Sequence, residues 1–173
     1  MIFRGAVFRA HNPKWSWAPL SGEGAALYGG RFNAKGTPAL YLATDMATAM
    51  REVAHGFPFK LVDPLLIVSY TVHCDDIVDL TQARVRRSFR IAEADLECAW
   101  LLLQEERKPV PSHDIAARLI AQGTAGIMVR SYAPGSTADN HNLILWKWSD
   151  DLPHRIRVHD PDGKVPKNGK SWG

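Results

Sequence analysis

Residues 28–52, YGGRFNAKGTPALYLATDMATAMRE, constrain the fold more than any other stretch of the chain. Gly29 and Gly30 permit a sharp turn or a close approach of the backbone to a ligand, because glycine adopts a positive φ without steric cost. Arg31 follows at once, and a guanidinium on a tight loop is a common way to hold a phosphate or a carboxylate. The stretch therefore predicts a ligand-binding turn that leads into further regular structure.

A strand and a helix are predicted after this turn. Residues 38–43 form the strand, with two leucines on one face and Tyr41 on the other, where small neighbours leave room beside its ring. Thr44 is the predicted N-cap of the helix, and Glu52 lies on the flank of its apolar stripe. The stripe comprises Met46, Ala49, Met50 and Val53. The residues expected to stop the helix are Gly56 and Pro58.

The composition bounds the class of protein. With 173 residues, of which 46% are apolar, the chain should form one domain with a substantial core. The net charge of +3 is mild, and four arginines within residues 84–90 are interpreted as a solvated loop or a partner-facing patch. Cys74 and Cys98 form no C-x-x-C pair and are expected to be buried thiols in a reducing compartment.

Several familiar sites are excluded by the sequence. The seven histidines form no i, i+4 pair on a predicted helix and no cluster with metal-ligand spacing, so no metal is predicted. Neither residues 22–27 nor residues 163–170 fit a dinucleotide or phosphate loop, and no G-x-S-x-G elbow occurs. No stretch of about 18 apolar residues and no leader sequence is found, which predicts a cytoplasmic protein without membrane association.

The other elements predict an α/β (α+β) fold. Further strands are expected over residues 2–9, 65–73, 125–130, 142–148 and 155–159. Residues 93–106 should form a helix that is largely buried, because its middle is apolar. A second helix should run from a Ser112 cap to Gly123.

The connections are predicted from their glycines, prolines and polar residues. The two tryptophans within residues 11–24 are expected to hold that loop against the core. Residues 131–141 form a second, polar loop, and the tail from Asp162 should fray. We therefore assign the domain to residues 1–160 and a polar tail to residues 161–173.

The remaining chemical groups are Arg31, Tyr41, Glu52 and whatever the second loop supplies. Without a metal, these groups suit a ligand with a good leaving group, such as NAD⁺, whose nicotinamide leaves ribose through an oxocarbenium-like transition state. A carboxylate can stabilise that cation, as it does in glycosidases. Arg31 would hold the diphosphate or the nicotinamide–ribose side, and Tyr41 would pack on a ring. The alternative is a surface ion pair between Arg31 and Glu52, with Tyr41 in the core.

These residues resemble the signature of the RES-domain family, which is named for an Arg, a Glu and a Ser. The matching motifs are Gly29-Gly30-Arg31-Phe-Asn, Tyr41 in a strand, Ala49-Met-Arg-Glu52 on the next helix, and Gly126-Ile-Met-Val-Arg-Ser131 with Asn142 opening the last apolar strand. A first strand ending in Arg9 also fits, and the resemblance covers residues 3–148. The chain departs from the commoner pattern at Phe32, where Trp is frequent, and in its longer polar loop after Ser131.

The resemblance implies a single-domain fold similar to ADP-ribosyltransferases, with a mixed, bent sheet and packed helices. It also implies a toxin of a bacterial toxin–antitoxin pair that consumes NAD⁺ as its substrate. The implied catalytic residues are Arg31, Glu52 and Ser131. The implied NAD⁺-binding residues are Arg9, Tyr28, Arg31, Tyr41, Ser131 and Asn142.

The implied reaction is cleavage of the nicotinamide–ribose bond by phosphate or water, and the alternative is transfer of ADP-ribose to a protein. The implied partner is an antitoxin with an Xre-like helix-turn-helix part, which covers the active site and connects the toxin to DNA only indirectly. A function of a different class is a non-enzymatic protein whose residues 84–90 bind DNA or an acidic partner. At this stage the acceptor stays open, as does the choice between Ser131 and Ser136.

Overall fold

The computed structural model describes residues 1–54 and 64–172. Its strands are β1 (Phe3–His11), β2 (Leu40–Ala43), β3 (Leu66–Cys74), β4 (Ile77–Asp79), β5 (Gly126–Arg130), β6 (His141–Leu145) and β7 (His154–Val158). Its α-helices are α1 (Glu23–Tyr28), α2 (Met46–Ala54), α3 (Ala83–Ser88), α4 (Glu93–Leu96), α5 (Trp100–Glu105) and α6 (Pro111–Ala121). Two short 3₁₀ turns, Pro13–Trp15 and Gly169–Trp172, lie against each other. The predicted helix stop at Gly56 and Pro58 falls outside the described residues.

The strands form one sheet in the order β4-β5-β6-β2-β1-β3-β7. The β4–β5 pair is parallel and every other pair is antiparallel. The predicted fold class, a mixed sheet with packed helices, is therefore confirmed. The sequence reading missed β4, because three residues are too few to show an alternating pattern.

The sheet separates two apolar clusters, and β2 contributes to both. Leu40 and Leu42 are buried in the cluster that also holds Val7 and Tyr70. Tyr41 points to the opposite side, where it packs against the cluster that α6 covers. This alternation is the one predicted from the sequence, because successive side chains of a strand face opposite sides. It places the Tyr41 ring on the helical side of the sheet.

Residues 93–106 do not form the single buried helix that was predicted. Helix α4 ends at Leu96 and α5 begins at Trp100, while Leu101 and Leu102 are 51% and 55% exposed. Arg31 explains the break, because its side chain donates hydrogen bonds to the carbonyls of Leu96 and Cys98. Carbonyls at a helix end accept from side chains where the helical ladder stops.

The arginine-rich residues 84–90 are not the solvated loop that was predicted, since residues 83–88 form α3. The segment contains no glycine or proline to interrupt a helix. Arg86 donates to the carbonyls of Leu80 and Thr81 and pairs with Glu93, so it holds the fold together. The other three arginines are exposed, and a role for them in partner binding stays a prediction.

Helix α2 is capped by Asp45, whose Oδ1 accepts from the Thr48 N–H at 2.8 Å. The predicted cap, Thr44, instead donates its hydroxyl to the carbonyl of His141. The predicted apolar stripe is right at Ala49, which is buried, and wrong at Met46 and Met50, which are 55% and 51% exposed. The buried positions are Thr48 and Ala49, since contact with β1 and β2 rather than side-chain polarity decides which face turns inward.

Helix α6 begins at Pro111, after Val110 at the N-cap position. The predicted cap, Ser112, lies inside the first turn, is fully buried and contacts the loop that contains Arg31. A proline at the first helical position needs no hydrogen-bond partner for its nitrogen, which explains this earlier start.

The N-terminal region contains more regular structure than was predicted. Strand β1 continues to His11, and the expected loop contains both a 3₁₀ turn and the start of α1. Trp15 and Trp17 are 58% and 41% exposed, so they do not hold this loop against the core as predicted. Of the two expected buried thiols, Cys74 is buried and Cys98 is partly exposed. None of the helices in the described part of the chain is long and apolar enough to cross a membrane.

Candidate functional site

A cavity of about 880 Å³ opens on the helical side of the sheet, between β1, β2 and helices α1, α2 and α5. This volume is within the range of small-molecule sites. Six of the seven residues that the sequence analysis assigned to the site line it: Arg9, Tyr28, Arg31, Tyr41, Glu52 and Asn142. The seventh, Ser131, reaches the cavity through its contact with Glu52.

The Glu52 carboxylate is held in place by two short hydrogen bonds. Its Oε1 accepts from the Ser131 hydroxyl at 2.6 Å and from the Asn142 Nδ2 at 2.5 Å. Both donors are fixed by the β5–β6 pair, because Ser131 directly follows β5 and Asn142 is the second residue of β6. In the described residues, the Ser136 hydroxyl is hydrogen-bonded to the Ser131 hydroxyl, at 2.8 Å, and not to Glu52. Of the two candidate serines, Ser131 is therefore the one next to the carboxylate.

Arg31 is tied to the α4–α5 connection. Its Nη1 donates to the carbonyl of Leu96 at 3.2 Å and to that of Cys98 at 2.7 Å. Burial of the guanidinium lowers the pKa of Arg31, and nearby Cys98, Tyr132 and Glu52 oppose this shift. An arginine nevertheless stays charged in a protein. The ion pairs formed among the described residues do not include Arg31 with Glu52, so the cavity presents the two charges separately.

The backbone of the Gly-Gly-Arg loop is fixed by hydrogen bonds that the sequence did not reveal. The Tyr41 hydroxyl accepts from the Phe32 N–H at 2.9 Å and donates to the Asn33 Oδ1 at 2.6 Å. The indole of Trp146 donates to the Phe32 carbonyl at 2.9 Å. Tyr41 therefore does more than line the cavity, since its polar end also shapes the loop that carries Arg31. Burial raises the pKa of Tyr41, which keeps this hydroxyl protonated.

Helix α6 holds the same loop from the other side. The Ser112 hydroxyl donates to the Arg31 carbonyl at 2.5 Å, and the His113 Nε2 donates to the Gly30 carbonyl at 2.8 Å. Gly30 has no space for a side chain, because an added Cβ would lie 2.5 Å from the Tyr41 hydroxyl oxygen. The second glycine of the motif is thus required by close packing, while Gly29 is required by its φ of 77°.

Arg9 reaches the cavity from β1, and a buried pair lies next to it. Its Nη1 donates to the Ser21 carbonyl at 3.3 Å. The Tyr70 hydroxyl donates to the Pro19 carbonyl at 3.0 Å, so it must accept from the His11 Nε2 at 2.7 Å. Burial, together with the charge of Arg9, lowers the pKa of His11 to about 4. His11 is therefore neutral. Through the Tyr70 hydroxyl it helps to hold the loop at Pro19 beside Arg9, and it adds no charge there.

The RES domain family model matches residues 6–168 of the chain. The chain belongs to the RES-domain family. Its fold is similar to a chain in the crystal structure of the M. tuberculosis MbcT–MbcA toxin–antitoxin complex, with a TM-score of 0.64. The two sequences are 20% identical, and the alignment covers 91% of this chain and 82% of the other, which shows a shared fold. A search of curated proteins found no match.

In this RES domain, part of the cavity wall was not predicted as part of the site. Helix α5 contributes Trp100, Leu101 and Leu102, and the loop after β5 contributes Tyr132. The apolar run in α5 was attributed to the core, because sequence polarity does not separate a cavity wall from an interior. Tyr132 directly follows Ser131, and this position next to a predicted site residue could have indicated that Tyr132 lines the cavity. The family match continues beyond residue 160, while the division into a domain and a tail stays a prediction.

Proposed function

We propose that this RES domain is the NAD⁺-consuming toxin of a toxin–antitoxin pair and that it breaks the nicotinamide–ribose bond. One observation carries the proposal: Glu52 is fixed by Ser131 and Asn142 at a cavity that Arg9 and Arg31 also line. A preorganised carboxylate beside two cations suits a ligand that develops positive charge at one carbon and carries phosphates elsewhere. Membership of the family supports the same assignment.

The proposed roles follow from the charges. Glu52 stabilises the positive charge that grows on the ribose carbon as the bond to nicotinamide lengthens. Nicotinamide leaves as a neutral molecule and takes the bonding electron pair with it. An oxygen of water or phosphate then bonds to that carbon, and an attacking water releases one proton to the solvent. Arg31 and Arg9 bind the diphosphate, since guanidinium groups pair well with phosphate oxygens.

The test is incubation of the purified chain with NAD⁺ carrying one label on nicotinamide and another on adenine. We expect release of free nicotinamide. The adenine label identifies the acceptor: it appears in ADP-ribose after hydrolysis, in a phosphorylated ADP-ribose after phosphorolysis, and on protein after transfer in a cell lysate. If NAD⁺ stays intact with phosphate and with lysate, the proposed activity is wrong.

We also propose that an antitoxin with an Xre-like DNA-binding part covers this cavity. The fold shared with a chain of a toxin–antitoxin complex supports such a partner. The rim of the cavity supports it as well, because Tyr28, Leu101 and Leu102 are more than half exposed there. Large apolar residues exposed around a cavity are typical of a surface that a partner covers. Saturating antitoxin should suppress nicotinamide release, and undiminished release would contradict a partner that covers the cavity.

The hydroxyl of Ser131 is expected to matter more than that of Ser136. Ser131→Ala removes a hydrogen bond to a charged group, which contributes about 1.5–3 kcal/mol, so nicotinamide release should slow by roughly 10- to 100-fold. Ser136→Ala leaves Glu52 with both of its donors and should change the rate by less than about twofold. The measurement is the initial rate of both variants at saturating NAD⁺. Equal losses for the two variants would show that the serines act as one unit.

A further inference from the structure

We infer that Tyr132 is a positioning residue for Arg31, and that Tyr132 and Arg130 together fix the α4–α5 connection beside the cavity. The inference rests on the proposed function and deepens it, because it assigns a part of NAD⁺ binding to a residue outside the Arg, Glu and Ser motif. Tyr132 lines the cavity and is half-buried. The side chains of Arg31, Arg130 and Phe32 lie next to its ring.

The first contact with the connection comes from Arg31. Its Nη1 binds the carbonyls of Leu96 and Cys98, which flank Glu97 in the chain. These two bonds use both hydrogens of Nη1. Within the described part of the chain, no hydrogen bond uses the guanidinium edge formed by Nε and Nη2, and this edge offers two parallel N–H donors to a phosphate. We therefore expect this edge of Arg31 to bind a phosphate of the ligand.

The second contact comes from Arg130, at the end of β5. Its Nη2 forms an ion pair with Glu97, and its Nη1 lies 3.3 Å from the Glu93 Oε1. The same short connection is thus held through its carbonyls by one arginine and through its Glu97 side chain by the other. Helix α5, which begins two residues after Cys98, takes its position from this double attachment.

The Tyr132 ring lies next to both arginines. The Cζ of Arg31 is 4.8 Å from the ring centroid, and that of Arg130 is 5.4 Å away. Both distances are within the range of cation–π attraction. Burial raises the pKa of Tyr132, so the ring stays a neutral phenol. The aromatic face attracts each guanidinium and keeps two like charges in fixed places.

Loss of the ring should affect binding rather than chemistry. Without it, Arg31 can rotate about its bonds to the two carbonyls, and its free edge no longer faces the ligand in one fixed orientation. The Glu52 carboxylate, held by Ser131 and Asn142, is not part of this arrangement. The effect should therefore appear in KM for NAD⁺ and not in kcat.

The test compares Tyr132→Leu with Tyr132→Phe in the full chain. Because Arg31 loses its cation–π attraction to the ring, Tyr132→Leu should raise KM for NAD⁺ by about tenfold and change kcat by less than about twofold. Tyr132→Phe keeps the aromatic face and should stay within about twofold of the parent chain in both constants. Thermal unfolding of each variant verifies folding, and Tyr132→Met serves as the replacement if the leucine variant unfolds.

A double-mutant cycle separates positioning from a structural role. In an Arg31→Lys background, Tyr132→Leu should raise KM by less than about twofold, because the planar group that the ring positions is already gone. The inference is overturned by an unchanged KM in Tyr132→Leu, by an equal effect of the phenylalanine and leucine variants, or by the same KM penalty in both backgrounds. If the parent chain releases no nicotinamide, the proposed function fails, and dissociation constants for ADP-ribose measured by calorimetry test the positioning of Arg31 by the same comparison.

Discussion

Glu52→Gln is expected to slow nicotinamide release by roughly 10²-fold or more, the loss typical of a removed electrostatic contact to the transition state. The amide keeps the shape of the side chain and loses its charge. Its oxygen can still accept from Ser131 and Asn142, so the local structure should survive. The free energy of unfolding should therefore stay within about 0.5 kcal/mol of the parent chain, as for most surface substitutions. The measurements are kcat at saturating NAD⁺ and a denaturant titration.

The chain offers a matched control within the same cavity. Glu105 also lines it, from α5, and is exposed. Glu105→Gln removes the same charge from the same cavity and should change kcat by less than about threefold, because no donors in the described residues orient that carboxylate toward a reacting atom. Full activity of a folded Glu52→Gln protein, or equal losses in both variants, would end the assignment of Glu52 as the group that stabilises the cation.

Gly30→Ala is the second substitution with a large expected effect, and its effect should extend to stability. The new Cβ would lie 2.5 Å from the Tyr41 hydroxyl oxygen and 2.7 Å from the Asn33 Oδ1. These two atoms are hydrogen-bonded to each other, so neither moves without loss of a contact. Forced overpacking costs about 1–3 kcal/mol, which corresponds to a fall in Tm of roughly 2–12 °C for a chain of this size. A shift of Arg31 by about 1 Å should also raise KM for NAD⁺ and so reduce kcat/KM by roughly 10²-fold.

Gly24→Ala is the control for this substitution. Gly24 lies in α1, and no atom is within 4 Å of the position of an added Cβ. Alanine should therefore leave Tm unchanged or raise it slightly, since it has the higher helix propensity. Calorimetric scans of the two variants provide the comparison. Equal Tm values for Gly30→Ala and the parent chain would show that the loop adapts, and that packing around Tyr41 does not explain the second glycine.

The sequence predicted the elements in which local pattern and burial agree. Strand β2 alternates two leucines with Tyr41, and the structure buries those leucines on one face and turns Tyr41 to the other. The glycines before Arg31 correctly indicated a turn with special backbone requirements. Prediction failed where a long-range contact competed with local pattern. Residues 93–106 have an apolar middle, yet the Arg31 side chain binds two of their carbonyls and the helix divides there.

The sequence alone determined the family and the residue types of the candidate site, because the Gly-Gly-Arg motif, Tyr41 and Glu52 lie within one short stretch. The tertiary structure decided which groups touch. Ser131 and Asn142 reach Glu52 from positions 79 and 90 residues away, and Ser112 and His113 reach the arginine loop across more than 80 residues. Such contacts depend on strand order and helix placement, which no local periodicity encodes. The strand order and the placement of α2 therefore put Ser131 rather than Ser136 next to Glu52, and they put Tyr132 beside Arg31.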